Sequence, residues 1–350
     1  MTAQEISNLI KSATAGDTGA QIELGIAFYN GDGIKQDYVE AVAWFRKAAE
    51  SGSSVGQFNL GMCYDRGIGV KQNYLEAAKW YRRSAEQGNI TGQFNTGCFY
   101  ESGMGGDKNL YEAANWYLKA AEQGHPTAQL NVANMFYMGR GLPQNYKEAM
   151  KWYLQAANKG NAQAQYNIAM MFEHGQGVAQ NRAEAGRWYR EAAERGYVNA
   201  QYNLACMLDA DQNYFDAAKW YLKAAEQNDP KAQYNLGDLY CNGLGVKKNW
   251  TEAIKWFRKA AEQGFAPAQH NLGVLYMGVA YPSFDTGLES DEYEAIRWYF
   301  KAAEQGYAPS QYQIGVSYLY GLGDLPVDEV RAKRWMDKAV KQGYNPLAQQ

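Results

Sequence analysis

The residues best suited to acid–base or metal chemistry are three histidines, His125, His174 and His270, and their spacing serves neither purpose. They occupy different segments of the chain, with no His-Glu-x-x-His or comparable ligand interval. Each reads as a loop or helix-surface residue. A hydrolase would use paired acids, and Asp65, Glu101, Glu173 and Asp209 are the carboxylates to consider. They recur one per segment instead of falling together, so a hydrolytic enzyme is the least favoured reading. The glycine pairs Gly31/Gly33, Gly67/Gly69, Gly139/Gly141, Gly175/Gly177, Gly243/Gly245 and Gly321/Gly323 resemble phosphate-cradling loops. None has the GxxxxGK[ST] spacing or follows a strand, and they recur as turns do. No catalytic residue, metal or cofactor is expected.

Binding chemistry is better represented. A column of amides runs Asn59, Asn95, Asn131, Asn167, Asn203, Asn235 and Asn271, with Glu23 and Gln313 at its ends. Asparagine is an indifferent helix former, so propensity does not account for seven of them. Two readings are open: each amide orders the stack by bonding a neighbouring helix, or the amides together grip the main chain of an extended peptide. Adjacent aromatics such as Trp44-Phe45, Trp80-Tyr81 and Trp116-Tyr117 would suit base stacking only beside a basic groove. The 350 residues carry a net charge of −3 and no basic cluster, so nucleic acid is excluded and the rings are assigned to packing.

The elements that position these residues repeat. A small residue followed by Gln recurs at Gln21, Gln57, Gln93, Gln129, Gln165, Gln201, Gln233, Gln269 and Gln311, at gaps of 36 five times, then 32, 36 and 42. Trp44, Trp80, Trp116, Trp152, Trp188, Trp220, Trp256, Trp298 and Trp335 keep the same register. Periodicity of this kind marks a repeat architecture. In the second unit, Phe58, Leu60, Gly61 and Tyr64 form the apolar stripe of a helix A that ends at Gly67-Ile68-Gly69. Helix B starts at the N-cap Asn73, with Glu76 completing a capping box, and it stops at Gly88. The position of Gly61 is Gly or Ala in every unit, which predicts close approach of the helix B backbone. The last unit lacks the usual capping box.

The AxxWYxxAAEQG phrase, with AQYNLG and the GxGV turn, resembles the Sel-one-like repeat family, a relative of the tetratricopeptide repeat. The resemblance covers residues 19–348 and implies an all-α, right-handed superhelical solenoid of helix-turn-helix repeats. The domain reading is an N-terminal capping helix in 1–18 (helical over 3–14), nine repeats in 19–344 and a C-terminal stub in 345–350. Repeat six has a short turn, and repeat eight an insertion over 278–290 that offers Tyr281 and Phe284 as a loop candidate for binding. An apolar edge uncovered after the last repeat suggests a weak dimer through the C-terminal end.

The family further implies a non-catalytic scaffold for a protein or peptide partner. Bacterial members include immunity proteins that neutralise a secreted toxic effector by tight binding, and this is the alternative function. Secreted members pair two cysteines within a repeat. Here Cys63, Cys98, Cys206 and Cys241 fall in four different repeats, so free thiols and a cytoplasmic location are expected. No signal peptide or membrane-inserting segment is evident.

Aligning helix A with the tetratricopeptide signature places it on a concave wall. The inward residues are then the Asn column; Phe94, Tyr166, Tyr202 and Tyr234 just after the Gln; and Glu101, Tyr137, Glu173 and Asp209 eight residues after it. Amides can match both donor and acceptor of a peptide unit, aromatics anchor interfaces, and carboxylates steer basic ligands. A partner segment bearing Lys or Arg is expected along repeats three to seven.

Overall fold

The computed structural model describes residues 1–278 and 290–345; Tyr281 and Phe284 and the stub from residue 346 lie outside the described residues. Among the described residues there are nineteen helices and no strand. The chain divides into two compact units, Met1–Ala185 and Gly186–Gln350. The first holds α1 (Ala3–Thr14) and the hairpins α2 (Thr18–Asn30)/α3 (Tyr38–Glu50), α4 (Ser54–Arg66)/α5 (Tyr74–Glu86), α6 (Ile90–Ser102)/α7 (Leu110–Glu122) and α8 (Pro126–Met138)/α9 (Tyr146–Asn158), then α10 (Ala162–His174). Helix α11 (Arg182–Glu194) crosses the boundary. The second holds α12 (Val198–Ala210)/α13 (Tyr214–Glu226), α14 (Pro230–Asn242)/α15 (Trp250–Glu262), α16 (Ala266–Met277)/α17 (Glu292–Glu304) and α18 (Ala308–Tyr320)/α19 (Glu329–Lys341). Along α1–α10 and again along α12–α19 each helix packs on the next in sequence. Even-numbered helices α2–α18 are the A helices and odd-numbered helices α3–α19 the B helices.

The turn chemistry explains why each hairpin closes where it does. Gly67 caps α4 in the left-handed region at φ 67°, its N–H bonded to the Cys63 carbonyl. Two residues on, a Cβ at Gly69 would stand 2.1 Å from the Tyr38 carbonyl oxygen of the preceding repeat, so that approach requires glycine. The expected capping box forms only by half. Asn73 Oδ1 accepts from the Glu76 N–H at 3.1 Å, but the Asn73 N–H already donates to the Tyr64 carbonyl at 2.9 Å. Glu76 therefore has no N-cap N–H to accept from, and instead takes the Lys79 ammonium at 2.7 Å. At α1, Thr2 and Glu5 close the full box. In the last repeat Asp328 caps α19, accepting from Arg331 N–H, where the other repeats have an acid.

The core lies between hairpins. Trp80 packs with Ala41, Val42 and Phe45 of the preceding B helix and with Leu60 and Cys63; truncating it to Ala would cost about 3–5 kcal/mol. Tyr81 beside it is almost fully buried. The small residue on helix A makes room for this ring, and in repeats seven and nine for the helix B backbone as well, where a Cβ at Gly237 or Gly315 would come within 3.2 Å of the Ala253 carbonyl and 2.9 Å of the Ala332 carbonyl. A Cβ at Gly61 would come within 2.9 Å of the Tyr81 ring, and one at Gly273 within 2.5 Å of Tyr299.

The marker glutamines are buried interlocks. Gln57 Nε2 donates to the Ala49 carbonyl at the end of the previous B helix, and Gln57 Oε1 accepts from Gln87 at 2.7 Å. The same pair of bonds recurs at Gln93, Gln201, Gln233, Gln269 and Gln311. Gln21 reaches Ala13 of α1 in the same way, so α1 occupies the place of a B helix in front of the first hairpin.

Candidate partner-binding face

The A helices carry every one of the seven asparagines, and each is half-buried, as are the ring positions Phe94, Tyr166, Tyr202 and Tyr234 and the positions Glu101, Tyr137, Glu173 and Asp209. What organises them is a group the sequence reading assigned only to packing. In α5, α7, α9, α11 and α13 the buried B-helix tyrosine sends its hydroxyl out to the A-helix layer. Tyr81 Oη donates to Asp65 at 3.2 Å, Tyr117 to Glu101 at 2.9 Å and Tyr221 to Asp209 at 3.1 Å. The asparagine of the next repeat meets the same hydroxyl: Asn235 donates to Tyr221 at 3.0 Å and Asn203 to Tyr189 at 3.2 Å, and Asn95 bonds Tyr81. In repeat four Tyr153 turns to Asn134 at 2.7 Å, which also accepts from Asn167. Burial and the neighbouring carboxylates hold the Tyr81 and Tyr117 hydroxyls far above the usual phenol range, so they stay protonated donors.

Much of the amide column thus orders the stack by bonding a neighbouring repeat. Asn131, like Asn59, makes no hydrogen bond through its side chain among the described residues, and with Glu101, Tyr117, Asn134 and Arg140 it lines a hollow of about 120 Å³. A second hollow, of about 100 Å³, lies in repeat seven. There Phe257 stands where six other B helices have tyrosine and Cys241 where repeats two, three, five and six have a carboxylate. The missing hydroxyl and carboxylate leave space bordered by Asp238, Asn242 and Asn271, and Asn271 reaches instead to Tyr234 at 3.5 Å. The pairing is partly legible in the chain itself: an acid eight after the Gln occurs only in repeats whose B helix carries tyrosine, repeats one and seven combine Phe45 with Tyr29 and Phe257 with Cys241, but repeats four and eight combine tyrosine with Tyr137 and Met277.

The ring column continues through His270, which takes the position held by Tyr234 one repeat earlier. It is not the surface residue expected. Its Nδ1 lies 2.9 Å from Ser310 Oγ, and its ring packs against Tyr299 and Tyr307. Burial lowers its pKa to about 4. His125 caps α8 and stacks on Phe94 at 4.4 Å. His174 is exposed at the end of α10. The four cysteines are free, and burial pushes the Cys63 thiol up to about 11. Among the described residues no His, Cys, Asp and Glu cluster could hold a metal, and no helix is long and apolar enough to cross a membrane.

A family model for the Sel1 repeat matches nine consecutive segments: 18–53, 54–89, 90–125, 126–161, 162–197, 198–229, 230–265, 266–307 and 308–344. The chain belongs to the Sel1 repeat family. Sel1 solenoids are typically non-catalytic scaffolds for protein–protein interaction. The crystal structure of c5321, a protective antigen of uropathogenic Escherichia coli with the same fold, is similar at 39% identity and TM-score 0.86, over 96% of this chain and 72% of that one. A Sel1 repeat protein from Oxalobacter formigenes is similar at 29% identity and TM-score 0.50, over 98% and 88%. The immunity protein Pa5087 from Pseudomonas aeruginosa is more distant, at 20% identity and TM-score 0.37 over 61% and 81%. No curated protein sequence matched. Within the Sel1 frame, the turn of repeat six drops its glycine pair: Gln212 takes the left-handed conformation at φ 60°, and Asp209 still reaches Tyr221.

Proposed function

We propose that this Sel1 chain is a non-catalytic scaffold that holds a basic segment of a partner protein on the A-helix face. The observation that carries the reading is the alternation, within the first unit, of oriented carboxylates (Asp65, Glu101), half-buried rings and the unengaged Asn131 amide on the A helices. The tyrosine hydroxyls hold the carboxylates in place, so a Lys or Arg of the partner meets preset acceptors and gives up little side-chain freedom in the protein. Charge-assisted hydrogen bonds of this kind are the stronger class. The hollow beside Asp238 and Asn271 would take one such side chain, its stem against Phe257 and Leu275. A tight inhibitor of a toxic effector is one form that such a scaffold takes, and a reducing compartment suits its free thiols.

The test is selection from a random peptide library on the purified protein, followed by variants. Enriched peptides should carry Lys or Arg, and Asn131→Ala should weaken their binding by roughly 1–2 kcal/mol with an unchanged melting temperature. Replacing Asn131, Asn167 and Asn203 together should weaken it further, but with some loss of stability, because Asn167 and Asn203 also bond within the stack. Peptides without basic residues, or binding indifferent to Asn131, would move the partner elsewhere on the surface.

A further inference from the structure

The nine repeats obey their packing rules closely, so a place where several rules fail together is informative. One exists between α5, α6 and the turn after α6. The position three after the marker Gln is Leu24, Leu60, Val132, Ile168, Leu204, Leu236, Leu272 or Ile314 in eight repeats, and Thr96 in the third. The residue after the second turn glycine is Ile34, Val70, Leu142, Val178 or Val246 in five other repeats, Asp324 in the last, and Gly106 here. Val70 packs against the core of its own junction; Gly106 has nothing near it. Thr96 is 3% exposed, and its hydroxyl is spent on the Gly92 carbonyl within its own helix. The deletions converge with Ala78 on a hollow of about 220 Å³ walled by Leu75, Phe99, Tyr100 and Met104. An empty cavity is destabilising in proportion to its volume, so the sequence departs from its own rule at a cost.

Two cations border this space, Lys79 and Arg82, against one carboxylate, Asp107. Lys79 pairs with Glu76 and Arg82 with Glu86 through Nε. Both pairs are more than half exposed on the cation side, a class that contributes little, and a ligand can compete for them. The terminal nitrogens of Arg82 remain as a fork for a planar carboxylate. We propose that the hollow is a binding site for a small amphipathic carboxylate, an aryl- or branched-alkyl acid. Its apolar body fills the space vacated at Thr96 and Gly106, and its carboxylate is held by Lys79 and Arg82. The site is separate from the A-helix face and independent of the partner reading.

The test uses 3-phenylpropanoate as the probe on the full chain, followed by isothermal titration and amide chemical shifts. Saturable binding is expected, with shifts centred on Thr96, Phe99 and Met104. Its neutral analogue 3-phenylpropanamide should bind at least tenfold more weakly. The variant Thr96→Leu/Gly106→Val restores the residues of the other repeats; it should melt higher than the wild type and lose binding at least tenfold. Lys79→Gln/Arg82→Gln leaves the apolar walls intact and should lose the preference for the acid over the amide. No saturable shift in the wild type, an unaltered affinity in the filled variant, or equal binding of acid and amide overturns the proposal.

Discussion

Gln87 donates from Nε2 to Oε1 of the buried Gln57 at 2.7 Å, closing each hairpin onto the glutamine that also holds the preceding repeat. The exceptions are instructive. Repeat one ends its B helix in Ser51, repeat four in Lys159 and repeat five in Arg195, thirty residues after Gln21, Gln129 and Gln165 as Gln87 is after Gln57. Gln21 Oε1 and Gln129 Oε1 are buried without a partner. An unmet buried acceptor is worth more than the mean hydrogen bond. Ser51→Gln is therefore expected to stabilise the protein by about 1 kcal/mol, read as a higher urea midpoint with an unchanged slope. No gain in midpoint would mean that water already satisfies Gln21.

The Tyr81–Asp65 contact makes a second prediction. Tyr81→Phe reproduces what repeats one and seven carry natively as Phe45 and Phe257, so the ring still fits beside Gly61. Loss of the hydroxyl should cost about 0.5–1.5 kcal/mol. A double-mutant cycle with Asp65→Ala, which removes the acceptor, should give a coupling of at least 0.5 kcal/mol. Strict additivity would show that the hydroxyl and the carboxylate are neighbours without a bond.

His270 supplies a pH dependence. Its pKa in the folded protein is about 4, lowered by burial from an ordinary value near 6.5. The unfolded chain therefore binds the extra proton between those limits, and stability falls as pH drops from 6.5 to 4, by on the order of 3 kcal/mol at most. Below pH 4 this contribution is constant. His270→Phe keeps the ring among Tyr299 and Tyr307 and should flatten that part of the stability profile in urea melts at several pH values. An unaltered slope between pH 4 and 6.5 would assign the acid sensitivity to other groups.

The Cys63 thiol, fully buried with its pKa raised to about 11, is expected to be inert at neutral pH. Titration with a thiol reagent should show Cys63 reacting only as fast as the protein unfolds. Reaction within seconds in the native state would contradict its placement.

The repeat was plain in the sequence because two of its signals are local. The Gln and Trp registers fix where each hairpin begins, and glycine and asparagine mark its ends. The helix expected over 3–14 spans Ala3–Thr14. What escaped depended on tertiary contact. The capping box fails at Asn73 because a carbonyl from Tyr64, nine residues back, takes the N–H that Glu76 would have used. The tyrosine hydroxyls looked like core atoms because the ring is buried, and only the packed hairpin shows that the oxygen reaches Asp65 or Glu101. His270 read as a surface residue for a related reason: its neighbours Tyr299 and Tyr307 come from the next helices in the stack. The hollow at Thr96 needs two exceptions ten residues apart to meet, and nothing local joins them.

On the proposed reading, oriented carboxylates on the A helices bind a basic segment. This is tested most directly by the affinity of the best library-selected peptide for Asp65→Asn/Glu101→Gln, measured across salt concentrations. Both replacements are isosteric and still accept from Tyr81 and Tyr117, so the fold and the melting temperature should hold. The account predicts at least tenfold weaker binding and a shallower dependence on salt. An affinity and salt dependence equal to the wild type, in a variant with an unchanged melting temperature, would contradict it.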